Sequence, residues 1–241
     1  MMPPAKPQPL TAQNYREQMS GVIDSVRRLE KNKGSEASLG SLCEGIASAY
    51  WHFGDPEAAG WFERALRLYR ASISDPTIKV ALLLWKMGDR GAFREECEKV
   101  LAFNLERIED LAAGRLELPR QAFAGLPSQE RLQHARRMFQ TNVLQARYLL
   151  GDYETAQRDA GTLETATVIR HLCAGLLQDD GSVFRKGLEM LRKVSARWPT
   201  DGSSVPEDLY RFSLALGAKH FPAVIAEAEP LGNGAGRGAS V

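Results

Sequence analysis

The chain has 241 residues, of which 44% are hydrophobic and 25% charged, enough to bury a substantial core as one domain or one continuous array. Its 31 basic and 30 acidic residues nearly cancel, which argues against nucleic acid as the main ligand, since phosphate contacts favour a basic excess. Three cysteines, Cys43, Cys97 and Cys173, stand far apart and outside any CxxC pair, which argues against a disulfide framework or a zinc site and points to a reducing cytoplasm.

In chain order, residues 1–10 carry four prolines and no apolar segment, and read as a flexible lead without a secretory signal. Thr11 is placed to cap a first helix whose apolar face is Tyr15, Met19, Val22, Val26 and Leu29, in steps of four and three. Residues 32–36 end it. A second helix is expected over about 37–53, closed by Gly54, and Asp55-Pro56 is expected to cap and restart the next. Asp75-Pro76 repeats that start signal. The helix that follows, to Met87, is apolar on nearly all sides and reads as the central one, with no run approaching the roughly 20 residues of a membrane span.

Gly88-Asp89 opens a long partner whose inward face reads Phe93, Cys97, Val100, Leu101, Leu105, Ile108 and Leu111. Residues 114–127, with two prolines and two glycines, read as an inserted loop. Ser128 is expected to cap a helix that buries Leu132, Ala135, Phe139, Val143, Ala146 and Leu150. Gly151-Asp152 turns it into a short helix carrying Tyr153, Ala156 and Leu163. Two further pairs follow, 165–177 with 183–198 and 206–216 with 221–228, joined by a linker at 199–204. The glycine-rich 231–241 reads as a disordered tail. No run has the alternation of a strand. The expectation is an all-α fold, a curved array of antiparallel helix pairs forming a single helical-repeat domain over 11–230.

One phrase recurs in this pattern: Trp51-His52-Phe53-Gly54-Asp55, Trp85-Lys86-Met87-Gly88-Asp89 and Tyr148-Leu149-Leu150-Gly151-Asp152. Gly54 and Gly88 are 34 residues apart, the tetratricopeptide period. Ile46, Ala47 and Tyr50, the pair Ala65-Leu66, and the stretch 149–156 resemble that family, mostly within 39–101 and 140–160. The third turn departs from the pattern, standing 63 residues beyond Gly88 rather than two periods, and Phe93 stands where a small residue is expected. A fainter likeness, on the stretch Ile78–Leu101, is to the all-helical immunity proteins of bacterial polymorphic toxin systems.

The resemblance to helical repeats implies a non-catalytic module that holds a peptide or protein partner on a concave face, and the second likeness implies a cognate toxin as that partner. In tetratricopeptide arrays the position three residues before the turn glycine lies near the concave surface. Trp51, Trp85 and Tyr148 would then line one groove, with Arg136, Arg137 and Arg147 available to acidic partner residues. The other reading of the same aromatics is core packing between helices.

Catalytic and metal motifs are not found. His52, His134, His171 and His220 fall on separate elements, and Glu130 with His134 is an ordinary helix pair. The glycines at 232–238 lack the strand and helix a phosphate loop needs. Asp179-Asp180 and Glu95-Glu96 read as turn or surface charges. No cofactor is implied. An enzyme or a nucleic-acid-binding array remains a lesser alternative.

Overall fold

The computed structural model describes residues 11–116, 118, 127–160, 164–197 and 205–228. Among these residues the secondary structure is helical, with eleven helices and no strand. In order they are α1 (Tyr15–Lys31), α2 (Glu36–His52), α3 (Ala58–Ser72), α4 (Ile78–Lys86), α5 (Arg90–Ala112), α6 (Ser128–Leu150), α7 (Tyr153–Asp159), α8 (Glu164–Leu177), α9 (Gly181–Arg197), α10 (Val205–His220) and α11 (Pro222–Ala228). The expected lead at 1–10, most of the 114–127 loop, Leu163, Trp198, the 199–204 linker and the tail lie outside the described residues. Where the sequence suggests one domain over 11–230, the contacts divide the chain into two compact units, 1–74 and 75–241.

The recurrent phrase is a helix stop. At each copy the glycine is left-handed, with φ of +69° at Gly54, +79° at Gly88 and +83° at Gly151. Its N–H donates to the carbonyl of the aromatic three residues back, at 3.0 Å on Trp51, 2.9 Å on Trp85 and 3.2 Å on Tyr148. The aspartate N–H donates five residues back, to Tyr50, Leu84 and Arg147 at 2.9, 3.2 and 2.9 Å. These bonds satisfy carbonyls that a helix end would otherwise leave open, and glycine takes the left-handed position without a Cβ clash. The same turn forms at Asp179, with φ of +53° and a 2.8 Å bond from the Asp180 N–H to the Gly175 carbonyl, although no glycine marks it. Asp179-Asp180, expected as turn or surface charges, forms this turn, and Asp180 accepts from the Ser182 N–H at 2.9 Å at the start of α9.

The aspartates that follow mostly begin the next helix. Asp89 accepts from the Ala92 N–H at 2.9 Å and Asp152 from the Thr155 N–H at 3.4 Å. Four expected caps differ. Thr11 precedes a turn, and α1 starts at Tyr15 after Asn14. Thr77, not Asp75, caps α4 through the Val80 N–H at 3.3 Å. Pro127 holds the cap position of α6, so Ser128 is the first helical residue rather than the cap. Asp55 has a different task. It bonds the Glu57 N–H at 3.0 Å, accepts from the Tyr15 hydroxyl at 2.7 Å and pairs with Arg16 at 2.6 Å.

Unit 1 is α1 to α3. Cys43, Ile46, Ala47 and Tyr50 of α2 bury Phe62, Ala65 and Tyr69 of α3. The Tyr69 hydroxyl donates to the buried Glu44 at 2.7 Å, which gives that carboxylate a partner in the core. Helix α1 docks through Tyr15, stacked on Phe53 at 4.5 Å and edge-on to Tyr50 at 5.6 Å. Burial alone would raise the Asp55 carboxyl. The Tyr15 hydroxyl, the Glu57 N–H and Arg16 outweigh it and hold the group below its usual value.

Unit 2 is α4 to α11. As its apolar sequence implies, α4 is buried all round, from Val80 to Lys86, and touches α5, α6 and α10. Helix α8 packs on α9 and α9 on α10, whose Gly217 lies so close to Phe184 that a Cβ would stand 2.6 Å from its ring. Helix α10 then returns to α4. Lys86 Nζ meets Asp208 at 2.8 Å with both side chains buried, and Phe212 packs edge-on against Trp85 at 5.4 Å. The last helices of the unit thus pack on its first.

Candidate functional site

The aromatic register ends in the core of unit 2 and only partly at the surface of unit 1. Trp51 is half-buried in the last turn of α2. Trp85 is 5% exposed and Tyr148 0%. Both pack on α10. Phe212 lies 5.4 Å from Trp85 and 5.9 Å from Tyr148, and the Tyr148 hydroxyl donates to Ser213 at 2.9 Å. The expectation that Trp85 and Tyr148 line an open groove is thereby corrected. The side of α4 and α6 that carries them is covered by α10, a helix 122 residues from α4 at the Lys86–Asp208 contact. Burial pushes the Tyr148 hydroxyl well above its usual pKa, with the Ser213 bond pulling the other way.

The arginines separate as well. Arg147 is mostly buried and paired with Asp159 of α7, so it belongs to the α6–α7 junction and not to a binding face. Arg136 and Arg137 are exposed in the first half of α6 and form no ion pair with any described residue. Their setting is the longest helix pair of the chain. Helices α5 and α6 each run 23 residues and pack antiparallel. Asn104 fixes their register. It is 1% exposed, donates to its own Val100 carbonyl at 2.7 Å and accepts from Asn142 at 3.1 Å.

On one side of this asparagine pair, Cys97, Val100, Val143, Leu144, Ala146 and Tyr148 are buried. On the other, no residue of α5 beyond Asn104 is buried, and among the described side chains of α6 only Ala135 and Phe139 are. Leu105 and Leu132, which the apolar spacing places inward, are 36% and 47% exposed, and Met138 is 42% exposed. Of the four exposed large hydrophobic residues among those described, three lie here, the fourth being Leu177. Leu105, Ile108 and Ala112 follow one another at helical steps along one flank of α5. In an antiparallel pair that flank faces the same way as Leu132 and Arg136 of α6. Glu106 and Glu109 of α5 border it, exposed and also without an ion pair among the described residues.

The opposite flank of α5 is furnished differently. Arg107 lies over the Phe103 ring at 4.8 Å, and Asp110 is held by Arg115 at 2.8 Å and Arg107 at 3.9 Å. On α5, then, one flank has its charges paired and the other carries bare apolar side chains beside charges without an ion pair among the described residues. Periodicity marks Leu105 and Leu132 as apolar positions on a helix but does not say whether anything packs on them. The usable signal is the unmatched charge beside them.

Elsewhere, unit 1 has a hollow of about 290 Å3 lined by Glu57, Gly60, Trp61 and Arg64, with Arg64 over the Trp61 ring at 5.3 Å and tied to Glu30. No group of three or more His, Cys, Asp or Glu among the described residues is placed to hold a metal ion. His171 Nδ1 lies 2.9 Å from the Thr167 carbonyl, a local helix contact. The three cysteines are buried, and burial pushes Cys97 and Cys173 up to about 12, so both thiols are protonated at neutral pH. No helix of the described residues is long and apolar enough to cross a membrane.

Compared with protein-family models, curated proteins and solved structures, the chain gives no match in any of the three.

Proposed function

We propose that the chain is a non-catalytic protein-binding module, a degenerate tetratricopeptide-like helical-repeat protein of the cytoplasm, and that it docks a protein partner on the half of the α5–α6 pair beyond Asn104. The observation that carries this reading is the exposure of Leu105 and Leu132 along the flank of the pair that also carries Arg136. Apolar side chains left in water along one helix flank beside charged ones suit a protein interface. The buried, protonated thiols fit a reducing compartment.

The binding face differs from the aromatic groove that the repeat resemblance implies, because Trp85 and Tyr148 are already spent on α10. A photo-crosslinking residue placed at position 132 in the native host tests the reading, with the same residue at the exposed Leu177 as control. One defined adduct from position 132 and none from 177 is expected. Equal capture from both positions, or none from 132, would contradict it. A second protein in the adduct tells an adaptor from a toxin-neutralising protein by its own activity.

A further inference from the structure

The exposed flank of the α5–α6 pair carries both halves of a self-complementary contact. Its α5 edge is acidic, with Glu106 and Glu109, and its α6 edge is basic, with Arg136 and Arg137. Leu105, Ile108 and Leu132 lie between the two edges. We infer that the partner of this surface is a second copy of the same chain, an inference that rests on the reading of this flank as a docking face. In a two-fold contact each patch meets its own copy, so an interaction made once is made twice. Laying α5 of one copy against α6 of the other brings Glu106 and Glu109 to Arg136 and Arg137 at both ends, and closes the leucines into a four-helix core. A purely acidic or purely basic partner would match one edge and repel the other. The second copy matches both.

The geometry also explains why these charges lack ion pairs among the described residues. Helices α5 and α6 meet along a narrow seam of Asn104, Ala135 and Phe139, and the charged edges stand outboard of it. A contact of this kind is apolar at its centre and ionic at its rim, so it weakens as salt screens the rim.

The test uses the full chain and reads mass by sedimentation equilibrium at micromolar concentration. Two variants are made, Arg136→Glu/Arg137→Glu and Glu106→Arg/Glu109→Arg. The wild type is expected to be a dimer. Each variant alone faces like charge with like and is expected to dimerise about tenfold more weakly or worse. An equimolar mixture of the two restores both edges and is expected to form the mixed dimer. All four positions are exposed in the single chain, so helicity is expected to stay at the wild-type value and melting to fall by no more than the lost association accounts for. Leu132→Asp, which leaves the charges intact, gives the same loss from the apolar centre and covers the case in which a charge variant misfolds.

A wild type that stays monomeric, or a dimer indifferent to all three variants, overturns the inference. If the wild type is monomeric and the crosslinker at position 132 captures a different protein, self-association fails while the docking face stands. If the wild type is monomeric and position 132 captures nothing, both fail.

Discussion

The two halves of the α5–α6 pair are built from similar residues and end in opposite states. Toward Gly88 and Gly151, the half that buries Cys97, Val100, Val143 and Tyr148 is flanked by α4, α7 and α8, with Phe212 of α10 on Tyr148. Beyond Asn104 the same two helices continue with the same apolar spacing, yet Leu105, Leu132 and Met138 stay open. Helix propensity and periodicity do not distinguish the halves. The presence of a third and fourth element over one of them does. Apolar spacing thus states where a helix is able to pack, and tertiary neighbours decide whether it does.

The largest effects belong to the closed half. Tyr148→Ala removes a fully buried ring that contacts Phe212 and bonds Ser213, and is expected to cost about 3–5 kcal/mol in urea unfolding. A near-neutral Tyr148→Ala would mean that α10 does not pack on α6. Lys86→Ala leaves the Asp208 carboxylate in the core without its ammonium, and is expected to cost about 3 kcal/mol or more, by the same measurement. Gly151→Ala forces a Cβ into a left-handed residue at the end of α6, and is expected to cost about 1–2 kcal/mol.

Thiol labelling sharpens the contrast at no cost to the fold. Cys97, in the closed half, is buried with its thiol pushed up to about 12, and is expected to resist a thiol reagent at pH 7 until the protein unfolds. A cysteine introduced as Leu132→Cys is expected to react at once in the native monomer and more slowly as self-association covers it.

Much of the fold is legible in the sequence. The Gly-Asp phrases mark three helix ends, and glycine's left-handed φ is the physical reason. The apolar girth of 80–85 marks α4 as central. Asp179-Asp180 reads as turn charges, but its likeness to the three glycine stops is hidden because a non-glycine residue occupies the left-handed position. Less of the site is legible. Trp85 and Tyr148 stand in register, but their burial depends on Phe212 and Ser213, which come from a distant stretch with no local cue linking it to α4 or α6. Arg136 is named by its charge and proves exposed, whereas Arg147, equally basic, is claimed by Asp159. Charge alone does not tell a free arginine from one already paired.

The most direct test of the central contrast is a pair of melting curves on α6, for Leu132→Asp and for Phe139→Asp. The two positions lie seven residues apart, at 47% and 8% exposure. Melted at concentrations too low for self-association, Leu132→Asp is expected to keep the parent's stability within about 0.5 kcal/mol, while Phe139→Asp, which buries a carboxylate, loses several. If the two are equally destabilising, the flank of Leu132 is core in solution and offers no face to a partner.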